Sequence, residues 1–270
     1  MPDARTHRLY HDLAHLWPRL SPPSDYVDEA ENVLDRLDAW FGSDAGPLRL
    51  LDLGAGGGHL ACHLRQARHQ VTAVDLSPEM LAQCRSLVPD AVTIEGDMRS
   101  IDLGAHPHGL PPFDAVLLTD AVDYMTTPSD ASAAVATVAR HLRPGGLAMI
   151  APTYVRETFV SGSAESDGEH DTDDPTSPHL FSYVYDLAPD DPDNHRCEML
   201  LLILVRDPNT GRVEVIEDRH ECGLFRDAEW RGWIEQAGLE LVDNDDPRRL
   251  GEATLDDGQP WSLFVATKPA

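Results

Sequence analysis

Positive charge is what this chain has least of. Lys268 is the only lysine, and 21 lysines and arginines stand against 47 aspartates and glutamates, a formal net charge of -26. Such a surface repels phosphate backbones and argues against nucleic acid as a partner. The surplus acid reads first as a solvated surface suited to solubility or high salt. Attraction of a cationic substrate, such as an amine, is the sharper reading. Cysteine is also scarce. Cys62, Cys84, Cys197 and Cys222 are scattered with no Cys-x-x-Cys pair, as expected of free thiols in a reducing compartment. Long apolar runs are missing: the longest, Met199 to Val205, has the length of a strand, and no N-terminal apolar segment suggests secretion. The expectation is a soluble, cytoplasmic protein. Its 270 residues suffice for a sizeable core, as one large domain or one domain with a lid.

The glycine-rich stretch from Leu48 to Leu60 organises what is present. Leu48 to Leu53 is apolar except for Arg49 and Asp52 and reads as a buried parallel strand. Gly54, Gly56, Gly57 and Gly58 follow, then Leu60, Ala61 and Leu64 at helical spacing. Strand, glycine turn and helix place bare backbone amides and a helix N-terminus at the C-terminal edge of a sheet, a geometry suited to a nucleotide-like ligand. A dinucleotide fingerprint wants a small residue where His59 stands. Asp75, ending the next apolar strand Val71–Asp75, lies where a ribose-binding acid is expected. These residues favour a ribose-bearing ligand over a pyrophosphate.

Leu51-Asp-Leu-Gly-Ala-Gly-Gly-Gly58 resembles the first motif of the class I S-adenosylmethionine-dependent methyltransferases, and Val74-Asp-Leu-Ser-Pro-Glu-Met80 resembles the second. Gly96-Asp-Met98, Phe113 to Asp120 and Leu142-Arg-Pro-Gly-Gly146 resemble later ones, in the family's order. The resemblance implies a doubly wound, mostly parallel α/β sheet of Rossmann-like type, with S-adenosyl-L-methionine as cofactor. It implies cofactor contacts from Asp52, Gly54, Gly56, Gly58, Asp75, Leu76, Met80 and Asp120. Asp97 and Met98 would hold the adenine, a carboxylate accepting from the exocyclic amine and a thioether packing on the ring. An N-terminal segment would lie over the cofactor, with Tyr10, Trp17, Arg19 and Tyr26 as candidates for that role. Arg19 would meet the cofactor's carboxylate.

Four regions are expected: an N-terminal helical cap (1–47), the cofactor-binding core (48–155), an inserted loop and antiparallel β lid (156–225) and a C-terminal completion of the core (226–270). In the cap, Leu9, Tyr10, Leu13, Leu16 and Trp17 have helical spacing, and Ser24-Asp25 can cap a helix over 26–41. Asp130 can cap a helix over 131–142. Residues 161 to 179, almost without apolar side chains, are expected as a mobile loop. After them three strands are read at 181–187, 199–205 and 212–221, then a helix over 227–237. Arg156-Glu-Thr-Phe159, the β insertion and Asp218 to Phe225 resemble a subfamily that includes N,N-dimethyltransferases of amino-deoxysugars.

A sulfonium methyl needs little activation, so positioning and exclusion of water are expected to dominate the rate. An amine acceptor must lose a proton. His220, on a lid strand between Asp218 and Glu221, is the leading base, because imidazole titrates near neutrality. Tyr124, Asp120 and Glu157 are the other catalytic candidates, orienting an amine by hydrogen bonds. His106 and His108 lack an acid pair to complete a metal site, so no metal is expected. The reading is methyl transfer to nitrogen or oxygen of a small molecule, with no nucleic acid or membrane partner and, as an assembly, a homodimer. The alternatives are a non-catalytic module sensing the cofactor or its product, and an NAD-dependent oxidoreductase, against which His59 stands.

Overall fold

The computed structural model of the chain describes residues 7–167, 178–191, 193–242, 253–254 and 260–270. After two 3-10 turns come helices α1 (Trp17–Leu20) and α2 (Val27–Phe41), then an alternating run: β1 (Arg49–Leu53), α3 (His59–Gln66), β2 (Gln70–Asp75), α4 (Pro78–Leu87), β3 (Val92–Glu95), β4 (Phe113–Thr119), α5 (Pro128–His141) and β5 (Leu142–Ala151). Four further strands follow: β6 (Ser163–Asp167), β7 (His179–Asp186), β8 (Arg196–Arg206) and β9 (Val213–Gly223). Helix α6 (Asp227–Gln236), β10 (Glu240–Leu241), the short pair β11 (Ala253–Thr254) and β12 (Pro260–Trp261), and β13 (Phe264–Thr267) complete the chain.

Seven strands form the main sheet in the order β10-β13-β5-β4-β1-β2-β3. β1 is parallel to β2 on one side and to β4 on the other, and β13 returns antiparallel to β5. After β3 the chain therefore crosses from one half of the sheet to the other. The crevice this creates lies beyond the C-terminal ends of β1 and β4, where doubly wound sheets take their ligands.

The near-continuous apolar strands are explained by cover on both faces. Leu51, Leu53, Val116 and Leu118 point to one side and pack with Val135 and Val138 of α5 and Trp230 and Ile234 of α6. Leu50, Ala115 and Leu117 point to the other and pack with Val33 and Leu37 of α2 and Leu60 and Leu64 of α3. The strand period of two thus sorts one apolar run into two cores.

The second sheet is antiparallel, in the order β6-β7-β8-β9. Its β8–β9 hairpin turns where Asp207 Oδ1 accepts from the amides of Asn209 (2.7 Å) and Thr210 (2.8 Å) and Gly211 takes φ 69°. One face buries Leu180, Leu201 and Ile203 against Leu9, Leu13, Leu16 and Leu20 of the N-terminal segment. Among the described residues, no helix is long and apolar enough to cross a membrane. All four cysteines are free thiols.

Four local expectations are corrected. Residues 7–20 are not one helix but two 3-10 turns and the four-residue α1, which carries Pro18 in its first turn. Their leucines answer to the antiparallel sheet rather than to a helical partner. Neither Ser24 nor Asp25 is the N-cap of α2: both lie in a 3-10 turn, Pro23–Tyr26, and the helix begins at Val27. Thr127, not Asp130, caps α5, its Oγ1 accepting from the Asp130 amide at 3.2 Å, because Pro128 in the first turn sets the start earlier. Within the segment 161–179, Ser163–Asp167 pairs with β7 as an edge strand and His179 begins β7. Its central part, 168–177, lies outside the described residues.

Candidate active site

Where β1 ends, the amides of Gly54 and Ala55 both donate to Val74 O, at 2.7 and 3.0 Å. Gly54 has φ 87°, and a Cβ there would stand 2.3 Å from the Ala121 Cβ, so the turn after β1 touches the turn after β4. Asp75, ending β2, ties the turn after β1 to the start of α4. Its Oδ2 accepts from the Gly56 amide and its Oδ1 from the Ser77 amide, each at 2.8 Å. Ser77 Oγ accepts from the Met80 amide at 3.1 Å and caps α4, while its hydroxyl donates to Tyr10 O at 2.6 Å. Gln83 of α4 donates to Ala14 O. The N-terminal segment is thereby tied to α4 on one side and to the antiparallel sheet on the other, through the Leu9 amide on Asp218 Oδ2 at 2.8 Å.

This segment and the lid sheet roof over a cavity of about 620 Å³ above the crevice, within the size range that takes small-molecule ligands. One end is acidic. Glu29 of α2 is 8 % exposed, and its Oε1 has no hydrogen-bond partner. Burial, with Asp120 and Asp52 nearby, raises its carboxyl well above the usual range. Burial pushes Asp52 up to about 7 and Asp120, which faces the cavity from the end of β4, up to about 6. Asp120 sits at φ 31°, an angle uncommon for an L-residue, and such strain is characteristic of turns that aim a functional side chain. Along the rest of the cavity lie Leu76, Met80, Asp97 and Met98. Asp97 is held by Arg99, whose Nε donates to both carboxylate oxygens at 2.9 and 3.0 Å and keeps the acid below its ordinary range.

Opposite the glycine turn, the cavity wall is phenolic. The hydroxyls of Tyr10 and Tyr124 are 2.8 Å apart, and Tyr124 Oη is 2.8 Å from His220 Nδ1. His220 Nε2 lies 2.9 Å from Asp218 Oδ2. His7 packs on this group, its ring 4.3 Å from that of His220. Burial and the adjacent imidazole lower His7 to about 4.

Of the residues singled out in the sequence, the structure gathers Tyr10, Trp17, Tyr26, Asp52, Gly54, Gly56, Asp75, Leu76, Met80, Asp97, Met98, Asp120 and Tyr124 around this cavity. Four do not line it. Gly58 instead lets α3 approach α4: a Cβ there would stand 2.5 Å from Cys84 Sγ. Arg19 is exposed on α1. Glu157 is exposed and accepts from the Asp227 amide at 3.0 Å, at the start of α6. His220 is wholly buried behind Tyr124, so it cannot meet a substrate directly. Glu29 and His7 line the cavity and were missed. The signal for Glu29 was an acid inside the apolar stripe of α2, one residue before Ala30 and four before Val33. His7 offered none, because only the folded N-terminal segment carries it to the lid.

These residues fit S-adenosylmethionine. The unpartnered Glu29 oxygen and its acidic neighbours suit an ammonium group. Asp75, with acceptor capacity left on both oxygens, suits the ribose hydroxyls, and Leu76 and Met98 offer apolar surface to a base. Comparison with known proteins agrees. A sequence profile described as a methyltransferase domain matches residues 50–146. A dTDP-3-amino-3,4,6-trideoxy-alpha-D-glucopyranose N,N-dimethyltransferase of Streptomyces venezuelae is 30% identical over 218 residues, 80% of this chain and 84% of that one. The crystal structure of Streptomyces venezuelae DesVI superposes with a TM-score of 0.70 at 27% identity, covering 97% of each chain. SAM-bound CalS10, an amino pentose methyltransferase from Micromonospora echinaspora involved in calicheamicin biosynthesis, gives 0.69 at 26% identity over 96% of each.

Proposed function

The chain belongs to the S-adenosylmethionine-dependent methyltransferases, and from that premise we propose that its acceptor is the amino group of a nucleotide-linked amino-deoxysugar. The observation that carries the choice of nitrogen is the charge of the cavity. Glu29, Asp52, Asp75, Asp97, Asp120 and Asp123 line it, against one guanidinium, Arg99, which is paired with Asp97 and Asp130. His7 and His59 line it as neutral imidazoles, each lowered to about 4 with burial as the leading cause. Burial raises Glu29, Asp52, Asp75, Asp120 and Asp123; a cation beside them favours their ionised forms and an anion does not, so the cavity suits an ammonium better than a carboxylate or phenolate. The relatives named for dTDP-amino-sugars support the sugar.

When bound, S-adenosylmethionine supplies a methyl already made electrophilic by its sulfonium. The chain's task is then to orient the amine lone pair and keep water out. Asp120 and the phenols of Tyr10 and Tyr124 are placed to accept hydrogen bonds from the amine, leaving its lone pair free for the methyl. Asp123 is committed elsewhere: both carboxylate oxygens accept from the Thr153 amide, at 3.2 and 3.3 Å.

The test is turnover on matched acceptors. A dTDP-linked amino sugar, its hydroxyl counterpart and a small phenol are incubated with enzyme and S-adenosylmethionine. Mass spectrometry is expected to show one or two added methyls on the amine alone. Methylation of the hydroxyl sugar with the amine untouched would sink the proposal.

The acidic end makes a second prediction. Asp52 titrates near 7 when folded and near about 3.9 when unfolded. Between those values the folded chain keeps a proton that the unfolded chain releases. Its contribution to stability is therefore fully present below about 4 and is lost as pH rises to about 7. Asp52→Asn should remove this decline. The variant is expected to melt a few degrees above wild type at pH 8 and to differ less at pH 5, while binding S-adenosylhomocysteine more weakly. Melting curves at the two pH values decide it, and a difference independent of pH counts against the assignment.

A further inference from the structure

The profile that marks the methyltransferase domain begins at residue 50, yet an acid from outside it reaches the cavity. Glu29 of α2 is more than nine-tenths buried, and its Oε1 has no hydrogen-bond partner. An ionised carboxylate so placed needs a countercharge. The groups that bear on it supply none. Asp52 of β1 and Asp120 of the turn after β4 are acids, and Thr119 of β4 is a neutral hydroxyl. Asp75, ending β2, bears on Asp52 in turn. The Tyr26 phenol and the Cys84 thiol of α4 are raised by burial and stay neutral. His59 of α3, edge-on to Tyr26 with ring centroids 5.3 Å apart, is a neutral imidazole lowered to about 4. No lysine or arginine is among these groups. Burial therefore leaves Glu29 and Asp52 holding protons that a solvated carboxyl loses well below neutral pH.

We propose that Glu29, together with Asp52, receives the ammonium of the cofactor's amino-acid end, and that the pair gives up a proton to solvent as the ammonium arrives. This rests on S-adenosylmethionine as the cofactor and not on the nature of the acceptor. The exchange balances. A carboxyl O–H bond breaks, its electron pair stays on oxygen and the proton passes to the buffer. The ligand's ammonium keeps its own protons and donates to the carboxylate so formed. A cation beside the pair favours the ionised form, which is why the proton leaves on binding and not before. Asp120, raised to about 6, titrates beside them and adds to the release with the same sign. The empty site thus carries little uncompensated charge, and the loaded site carries a matched pair. A nucleoside without the amine finds protonated acids and gains nothing from them, so the pair selects the whole cofactor over its nucleoside fragment.

Calorimetry with no acceptor present tests this. S-adenosylhomocysteine is titrated into the full chain near pH 6.5 in buffers of different ionisation enthalpy, which reads the protons exchanged. About one proton is expected to leave per ligand bound, and affinity is expected to rise by up to about tenfold per pH unit between about pH 6 and 7. The ligand's own amine and carboxylate do not titrate there. Decarboxylated S-adenosylhomocysteine, which keeps the amine, should release the same proton. Methylthioadenosine, which keeps the nucleoside and thioether and lacks the amine, should release none and bind equally at each pH. Glu29→Gln has the shape of the protonated acid and cannot ionise. It should weaken S-adenosylhomocysteine by about 10–100-fold at pH 8 and only a few-fold at pH 6, with methylthioadenosine unchanged. Binding of S-adenosylhomocysteine with no proton released, or with one taken up, overturns the proposal. So does equal release with methylthioadenosine. A variant that loses both ligands alike, or that releases protons as wild type does, removes Glu29 from the role. The comparison of ligands on wild type holds whether or not the variant folds. If S-adenosylhomocysteine does not bind at all, the cofactor assignment fails first. If it binds with proton release but no amine is methylated, the acceptor proposal fails and this one stands.

Discussion

Asp75→Ala is expected to weaken S-adenosylhomocysteine binding by about 10²–10⁴-fold in calorimetry. The Asp75 carboxylate has two tasks. Inside the protein it accepts the amides of Gly56 and Ser77, which pins the glycine turn to the start of α4. Toward the ligand, its remaining lone pairs would meet two ribose hydroxyls on the reading proposed above. Hydrogen bonds to a charged group contribute about 1.5–3 kcal/mol each, and the variant leaves both hydroxyls without their acceptor. Part of the loss is structural, because the two amides lose their acceptor. Thermal unfolding of the unliganded variant measures that part. Binding unchanged from wild type would show that the cofactor's sugar does not lie on this strand.

Gly54→Ala is expected to be the most damaging small substitution in the chain. It should cost about 2–4 kcal/mol of stability and abolish measurable cofactor binding. Two causes add. At φ 87° any side chain is strained, and the new Cβ would stand 2.3 Å from the Ala121 Cβ and 3.0 Å from Met98 Cε. Neither neighbour can retreat easily: Ala121 lies in the turn that aims Asp120, and Met98 lines the cavity. Gly42 provides the control. It has the same φ of 87° with nothing within 4 Å of a Cβ, so Gly42→Ala carries the backbone cost alone, about 1 kcal/mol. Urea unfolding of both variants separates strain from collision. Equal losses would mean that the turns after β1 and β4 do not press on each other.

The corrections share a physical origin. Leu9, Leu13 and Leu16 have the spacing of a helix face, yet they are buried by the inner surface of a sheet more than 160 residues away in the chain. Apolar spacing reports that a side chain is buried and is silent about its partner. Asp130 is a good capping residue, but Thr127 with Pro128 behind it is a better start, and the helix takes the earlier one. Glu157 and Arg19 carry charges suited to a site, and the backbone leaves both at the surface.

Local chemistry in the chain was enough to determine the parallel sheet, the order of its motifs, the crevice beyond β1 and β4 and most of the singled-out residues that line it. Each of those is a strand end or a turn, where residue type and backbone geometry are coupled over a few positions. Tertiary structure alone decided what closes the crevice. Tyr10, Glu29, Tyr124, Asp218 and His220 come from four separate stretches of chain. They come together because the N-terminal segment docks on the lid, and that contact cannot be written in any one segment.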